Sequence, residues 1–169
     1  MKAYELGQYE KSMPNDLTWK EKLQLCREFG FDYLEMSVDE SEEKLARLSY
    51  TQAERKEILR AMEETGVRIH SMCLSGHRKY PLGHPDVEIQ NKALRIMEDA
   101  IQLADDLGIR IIQLAGYDVY YEQGSEETQH NFCGICCAVW SWQRKRESCW
   151  ALKQWKHRLW IRWKKVCAM

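Results

Sequence analysis

Apolar and polar positions along the first 130 residues alternate between two periods, and the switch between them repeats. Trp19, Leu23, Cys26 and Phe29 recur at helical spacing, and Gly30 stands where a left-handed cap would end the helix. Phe31 to Val38 then reads as a strand. A charged helical segment around Glu42 to Leu48 is followed by a helix with Ile58, Leu59 and Met62 on its apolar face and Gly66 behind it. The stretch from Val67 is a third strand. Its alternation predicts Val67, Ile69 and Ser71 on one face and His70, Met72 and Leu74 on the other. Ile89, Ala93, Ile96, Met97, Ala100, Ile101, Ala104 and Leu107 form a long apolar stripe closed by Gly108, with Pro85 fitting that helix's first turn. Ile109 to Ala115 is the fourth strand, and Tyr4 to Tyr9 is the first. Thr18 with Glu21, and Thr51 with Glu54, have the spacing of capping boxes at helix starts.

Helix, glycine, strand thus recurs at Gly30, Gly66 and Gly108. A βα repeat implies a parallel sheet, and right-handed crossovers put all strand carboxyl ends on one side. Glu10, Glu35, His77, Arg78, Gln113 and Tyr117 should meet there. A doubly wound sheet and a (βα)8 barrel begin alike. The stretch after the first strand, GQYEK, lacks the GxGxxG phosphate fingerprint, which favours the barrel. A whole barrel takes about 250 residues. The fold class expected is therefore α/β: an N-terminal (βα)4 half of a TIM barrel over residues 1–132, then a helical, poorly specified tail over 133–169.

Composition separates those two parts. The 169 residues carry a net charge of −1. From Asn131 onward there are nine Lys or Arg against one acid, Glu147, whereas residues 1–130 hold sixteen basic and twenty-five acidic side chains. Six of the seven Trp and five of the seven Cys also lie in the tail. No apolar run has the length of a membrane span and the start does not read as a signal peptide, so a cytoplasmic protein is expected.

Several side chains are candidates for chemistry. Glu35, at a strand's carboxyl end, suits a substrate hydroxyl, or is a solvated carboxylate at a loop edge. His77 with Arg78 suits an anionic group, since Arg pairs bidentately with phosphate. The alternative is a surface basic cluster of Arg78 and Lys79. His70 reads as a hydrogen-bonded core residue. Tyr117, Tyr120 and Tyr121 suit a pocket mouth, or packing. Cys26 and Cys73 read as buried reduced thiols.

The segments YEK near the start, GFDYLEMSVDE, SMCLSGHRKYPLG and IQLAGYDVYYE also resemble the L-ribulose-5-phosphate 3-epimerases. These are also called L-xylulose-5-phosphate 3-epimerases, with hexulose-6-phosphate isomerase-like proteins as relatives. The resemblance covers about residues 4–130, with four motifs in order. It implies a xylose-isomerase-like TIM barrel that inverts C3 of a ketopentose phosphate in pentose or ascorbate-type sugar catabolism. In such enzymes one Glu removes the C3 proton, a divalent cation of the Mn, Zn or Mg type steadies the enediolate, and a second Glu returns a proton. Those groups belong to the second half of the family's barrel. The resemblance therefore carries over only substrate-binding positions: Glu35, His77, Arg78 and, more weakly, Tyr117. No catalytic residue and no metal ligand is assigned in this chain. It is expected to be inactive, to bind no metal, and to self-associate through unpaired sheet edges.

The tail reads as an out-of-frame continuation. Permissible codons for Cys149 to Lys165, read from the third base of the first codon, allow LGAETMETPFMDTVEK, the kind of helix-to-strand text the family would place there. A slip near Phe132 to Gly134 would produce it. Two lesser readings exist. Cys133, Cys136, Cys137, Cys149 and His157 could hold zinc, although a second CxxC is missing. The run WKHRLWIRWKK could bind nucleic acid or an anionic membrane surface. Within the enzyme class the alternative substrate is a hexulose phosphate. Outside it, the alternative is a small anion-binding interaction protein.

Overall fold

A computed structural model describes residues 4–114 and 116–145. Four strands, β1 (Gly7–Tyr9), β2 (Tyr33–Val38), β3 (Arg68–Leu74) and β4 (Ile111–Leu114), alternate with helices α1 (Trp19–Glu28), α2 (Glu42–Ala46), α3 (Gln52–Thr65), α4 (Val87–Leu107) and α5 (Glu126–Lys145). The sheet is parallel throughout, in the order β1-β2-β3-β4. This is the (βα)4 arrangement that the glycine spacing predicts.

Local chemistry sets the helix ends. Thr18 and Thr51 both form complete capping boxes, with Glu21 and Glu54 accepting from the cap backbone N–H at 2.8 and 2.7 Å. Gly66 and Gly108 cap α3 and α4 in the left-handed region, at φ 71° and 69°. Pro85 differs from expectation, lying one residue ahead of the cap and outside the first turn. Asp86 is the N-cap, and its Oδ1 accepts the Glu88 N–H at 2.8 Å. β1 is three residues long instead of six, because only Gly7 to Tyr9 find partners on β2.

The third strand corrects the simple alternation. Leu34 pairs with Ile69, but Glu35 pairs with Ser71, so β3 carries one extra residue at this point. The bulge puts Ile69, Met72 and Leu74 on one face, opposite Leu34, Met36 and Val38, and all six are almost fully buried. That face packs against Leu23 and Cys26 of α1, Ile58 and Met62 of α3 and the Ala93–Leu107 stripe of α4 in one core. Complete burial of such side chains is worth about 1.5–3 kcal/mol each. Tyr9, Glu35, Ser71, Cys73 and Gln113 fall on the other face, and Ser71 leaves the face it was expected to share with Ile69.

α5 runs through the compositional join at residues 132–133 without a break, and Phe132, Cys136 and Val139 enter the same core. The rest of the tail, with the Cys149 and His157 of the zinc reading and the basic aromatic run, lies outside the described residues. Among the described residues no helix is long and apolar enough to cross a membrane.

β1 stops at Tyr9, two residues short of what β2 would need to pair Ser37. The Glu10 side chain takes over that edge. Its Oε2 accepts the Ser37 N–H at 2.8 Å, while Arg47 Nη1 donates to the Ser37 carbonyl at 3.0 Å. The same carboxylate receives Arg47 at 2.6 and 2.7 Å, Lys22 at 2.8 Å and Lys44 at 3.0 Å. All four side chains are buried, and the Trp19 ring lies against both Arg47 and Lys22. Burial alone would raise the Glu10 pKa. The Arg47 and Lys22 contacts and the Ser37 N–H outweigh it and hold the carboxyl at about 2.

Removing that charge strands three buried cations. Glu10→Gln is expected to cost about 3–5 kcal/mol and to lower the melting temperature by on the order of 10 °C, read by circular dichroism. Because the folded-state value lies below the ordinary 4.5, the wild-type contribution is complete above that pH. It is lost as pH falls through 4.5 towards 2, and the variant should lack this acid sensitivity.

Candidate substrate-binding site

The carboxyl ends of the four strands open into one cavity of about 510 Å³. Tyr9 supplies its wall from β1, Glu35 from β2, and Gln113 from β4. Cys73, Ser75 and Arg78 come from β3 and the turn after it, and Gly116 and Tyr117 from the segment after β4. Convergence here follows from the parallel order of the strands, which puts all four carboxyl ends on one side.

Glu35 is half-buried and oriented by its register partner, since Ser71 Oγ donates to its Oε2 at 2.7 Å. Tyr9 stands beside it on β1. Burial raises the Tyr9 pKa, with the Ser37 hydroxyl 3.4 Å away in opposition, so the phenol stays protonated at neutral pH. Burial likewise raises the Cys73 thiol. Cys73 is thus a protonated thiol, as the sequence suggested, but only half-buried and part of the cavity wall. It lacks the thiolate character a nucleophile needs.

Arg78 and Tyr117 face each other across the far side. Burial pushes the Tyr117 phenol up to about 12, with the Arg78 guanidinium pulling against that shift. The guanidinium lies over the Tyr120 ring, 4.8 Å from its centroid, and Tyr120 touches both Tyr117 and Tyr121 at centroid distances of 4.9 Å. Tyr121 donates to Glu40 Oε1 at 2.7 Å, tying the segment after β4 to the end of β2. Tyr120 and Tyr121 are exposed and do not line the cavity, whereas Tyr117 does. Lys79 turns outward and pairs with Glu42, so it does not share Arg78's setting.

Two expected members are elsewhere. Glu10 is consumed in the ion cluster behind the wall. His77 is fully enclosed, with its Nε2 3.1 Å from the Ala93 carbonyl on α4, and does not line the cavity. The turn over Gly76–Arg78 sends successive side chains in opposite directions, so Arg78 reaches the cavity and His77 the helix layer. Burial lowers the His77 pKa to about 4, which leaves it neutral at pH 7 and unfit to attract an anion. His70, expected in the core, is half-buried beside the Tyr33 ring. Sequence reasoning also passed over Tyr9 and Ser71. Tyr9 was findable as the last residue of a strand. Ser71 was hidden by the bulge.

Among the described residues no group of three or more His, Cys, Asp or Glu side chains could hold a metal ion. The described donor set does not fit one. What remains is a concave site with one carboxylate, one guanidinium and several hydroxyls, suited to a hydroxylated anion.

Residues 23–149 match the Xylose isomerase-like TIM barrel family. The chain is 51% identical over 131 residues to the L-ribulose-5-phosphate 3-epimerase UlaE of Escherichia coli O139:H28 and, to the same extent, to that of Salmonella heidelberg. Each alignment takes in 78% of this chain and 46% of the relative, so the chain spans about half the length of these proteins. Among solved structures it resembles D-psicose 3-epimerase from Clostridium cellulolyticum H10, with a TM-score of 0.70 and 15% identity over 88% of this chain and 52% of that one. It also resembles an L-ribulose 3-epimerase, with a TM-score of 0.64 and 17% identity over 87% and 48%. At these identities the structural likeness speaks to the fold.

The His77 assignment has a direct check. Its ring proton shift is expected to stay flat from pH 8 down to 5 in an NMR titration, because the buried ring charges only near pH 4. The unfolded chain takes up that proton near 6.5, so the residue's contribution to stability is intact above 6.5 and declines below it.

Proposed function

The chain belongs to the xylose isomerase-like TIM barrel family, and we propose that its strand-end cavity is the substrate-binding part of an L-ribulose-5-phosphate 3-epimerase. The observation that carries this reading is the pairing in one cavity of an oriented carboxylate, Glu35, with a guanidinium that has no ion-pair partner among the described residues, Arg78. Glu35 accepts from a sugar hydroxyl, and the Ser71 hydroxyl holds the carboxylate in place. Arg78 and Tyr117 take the anionic end. The identity of about half to the UlaE epimerases supports a ketopentose phosphate as the ligand.

Inversion at C3 needs one group to remove a proton and another to return it on the opposite side. Among the described residues lining the cavity, Glu35 is the one carboxylate. The division of labour we propose is that these residues bind and orient the sugar phosphate without completing the proton transfers. The purified chain should therefore bind L-ribulose 5-phosphate and show no exchange of its C3 proton with D₂O. Turnover above the buffer blank would refute this.

Among the described residues β1 and β4 each have one neighbour, whereas every strand of a closed barrel has two. Such edges template further pairing. We propose that they pair with a second copy of the chain. Sedimentation velocity is expected to show a concentration-dependent dimer, and a single monomeric species up to about 100 μM would contradict it.

A further inference from the structure

Register fixes what each open edge of the sheet offers. Ser37 turns its N–H to the β1 side, where the Glu10 carboxylate takes it, and the Val38 carbonyl turns the other way to accept the Ser75 N–H. In a parallel ladder successive residues turn their N–H and C=O groups to alternate sides, and the residue opposite a bonded one turns away. Val38 is in register with Leu74, and Leu74 with Leu114, so the Ile112 and Leu114 N–H groups point outward from β4. Glu35 is in register with Tyr9, so the Tyr9 N–H points outward from β1. Neither outer row has a strand beside it among the described residues.

The inner face of the sheet has a matching deficit. Leu34 and Met36 turn to the helices and are fully buried, whereas Tyr9, Tyr33, Glu35, His70, Ile111 and Gln113 turn inward and are only half-buried. Towards the amino ends of the strands this lining is apolar and aromatic. The Tyr33 ring stands 5.2 Å from that of His70 and lies over Gly7, where it leaves no room for a Cβ. In a closed eight-stranded barrel such inward layers are packed core, filled by side chains from the whole ring. Half of that ring is present among the described residues.

We propose that two copies of the chain close one eight-stranded ring, with β4 of each copy beside β1 of the other. The inference rests on the edge pairing proposed above and adds which edges meet and what they enclose. Four strands cover half of an eight-stranded barrel, so a half-turn about the barrel axis carries one copy onto the other. That rotation keeps the strand direction, and both new pairs are parallel like those within the chain. An unlike-edge contact of this kind closes at two copies and satisfies both edges at once. Pairing of like edges, β1 on β1 or β4 on β4, leaves the other edge open. The layer of Tyr33, His70 and Ile111 then meets its counterpart and becomes core. All strand carboxyl ends fall on one side, so the two cavities merge. The second copy's β1 brings its Tyr9 to the Gln113 side, and its β2, across the ring, brings a second Glu35 to the opposite wall. A ligand at the strand ends is thus enclosed by side chains of both chains.

Hydrogen exchange followed by NMR on the full chain, at concentrations on either side of the monomer–dimer midpoint, tests this. The Tyr9, Ile112 and Leu114 amides are expected to slow together, at least tenfold, as the dimer forms. Sedimentation should stop at the dimer. Ile111→Asp puts a charge into the shared lining and leaves the helix-facing core untouched. It should weaken the dimer at least tenfold with the circular dichroism spectrum unchanged. Slowing at one edge alone, oligomers that grow past two copies, or a dimer indifferent to Ile111→Asp overturns the ring and leaves edge pairing standing. A dimer that slows neither edge, or a single monomeric species, overturns both.

Discussion

The Glu10 carboxylate holds three cations and the Ser37 N–H, and the geometry of the cavity depends on it. Two buried lysines and a buried arginine would be untenable without a counter-charge, since removing ions from water costs several kcal/mol apiece. Glu10 supplies it from the residue directly after Tyr9, and Ser37 lies two residues beyond Glu35. The cluster therefore joins α1, α2 and the turn at Arg47 to the strand ends from which two cavity walls project. It also closes β2's open edge where β1 has run out, which explains how so short a first strand suffices.

The bulge in β3 is the second constraint. With a regular strand, Ser71 would share a face with Ile69, and the Glu35 carboxylate would have no hydroxyl opposite it. One added residue returns Met72 and Leu74 to the helix-facing core and brings Ser71 and Cys73 to the cavity face. Packing and function are both served by that irregularity. The apolar residues stay buried, and the acceptor in the cavity acquires a partner that fixes its direction.

Much of the cavity was legible before any coordinates. Glu35, Arg78, Gln113 and Tyr117 sit just where strands give way to loops, and parallel topology brings strand ends together whatever the side chains are. His77 was misplaced because strand periodicity says nothing about a tight turn, in which neighbouring side chains diverge. Glu10 was misplaced because its partners Lys22, Lys44 and Arg47 lie 12, 34 and 37 residues away, and nothing local marks them as a set. The resemblance to the epimerases pointed at the same loops and was supported by half-identity to the UlaE proteins.

The sequence by itself determined the βα alternation, the capped helix ends, the glycine stops and hence the parallel sheet, because each follows from interactions within a few residues. It also marked the change of composition near residue 131. Tertiary structure alone decided which polar residues are consumed and which stay available. Glu10 and His77 vanish into packing, while Glu35, Arg78 and Tyr117 reach one cavity. The physical reason is that a polar group's role depends on whether another buried group satisfies it, and that partner is chosen by distance in space, which sequence separation does not encode.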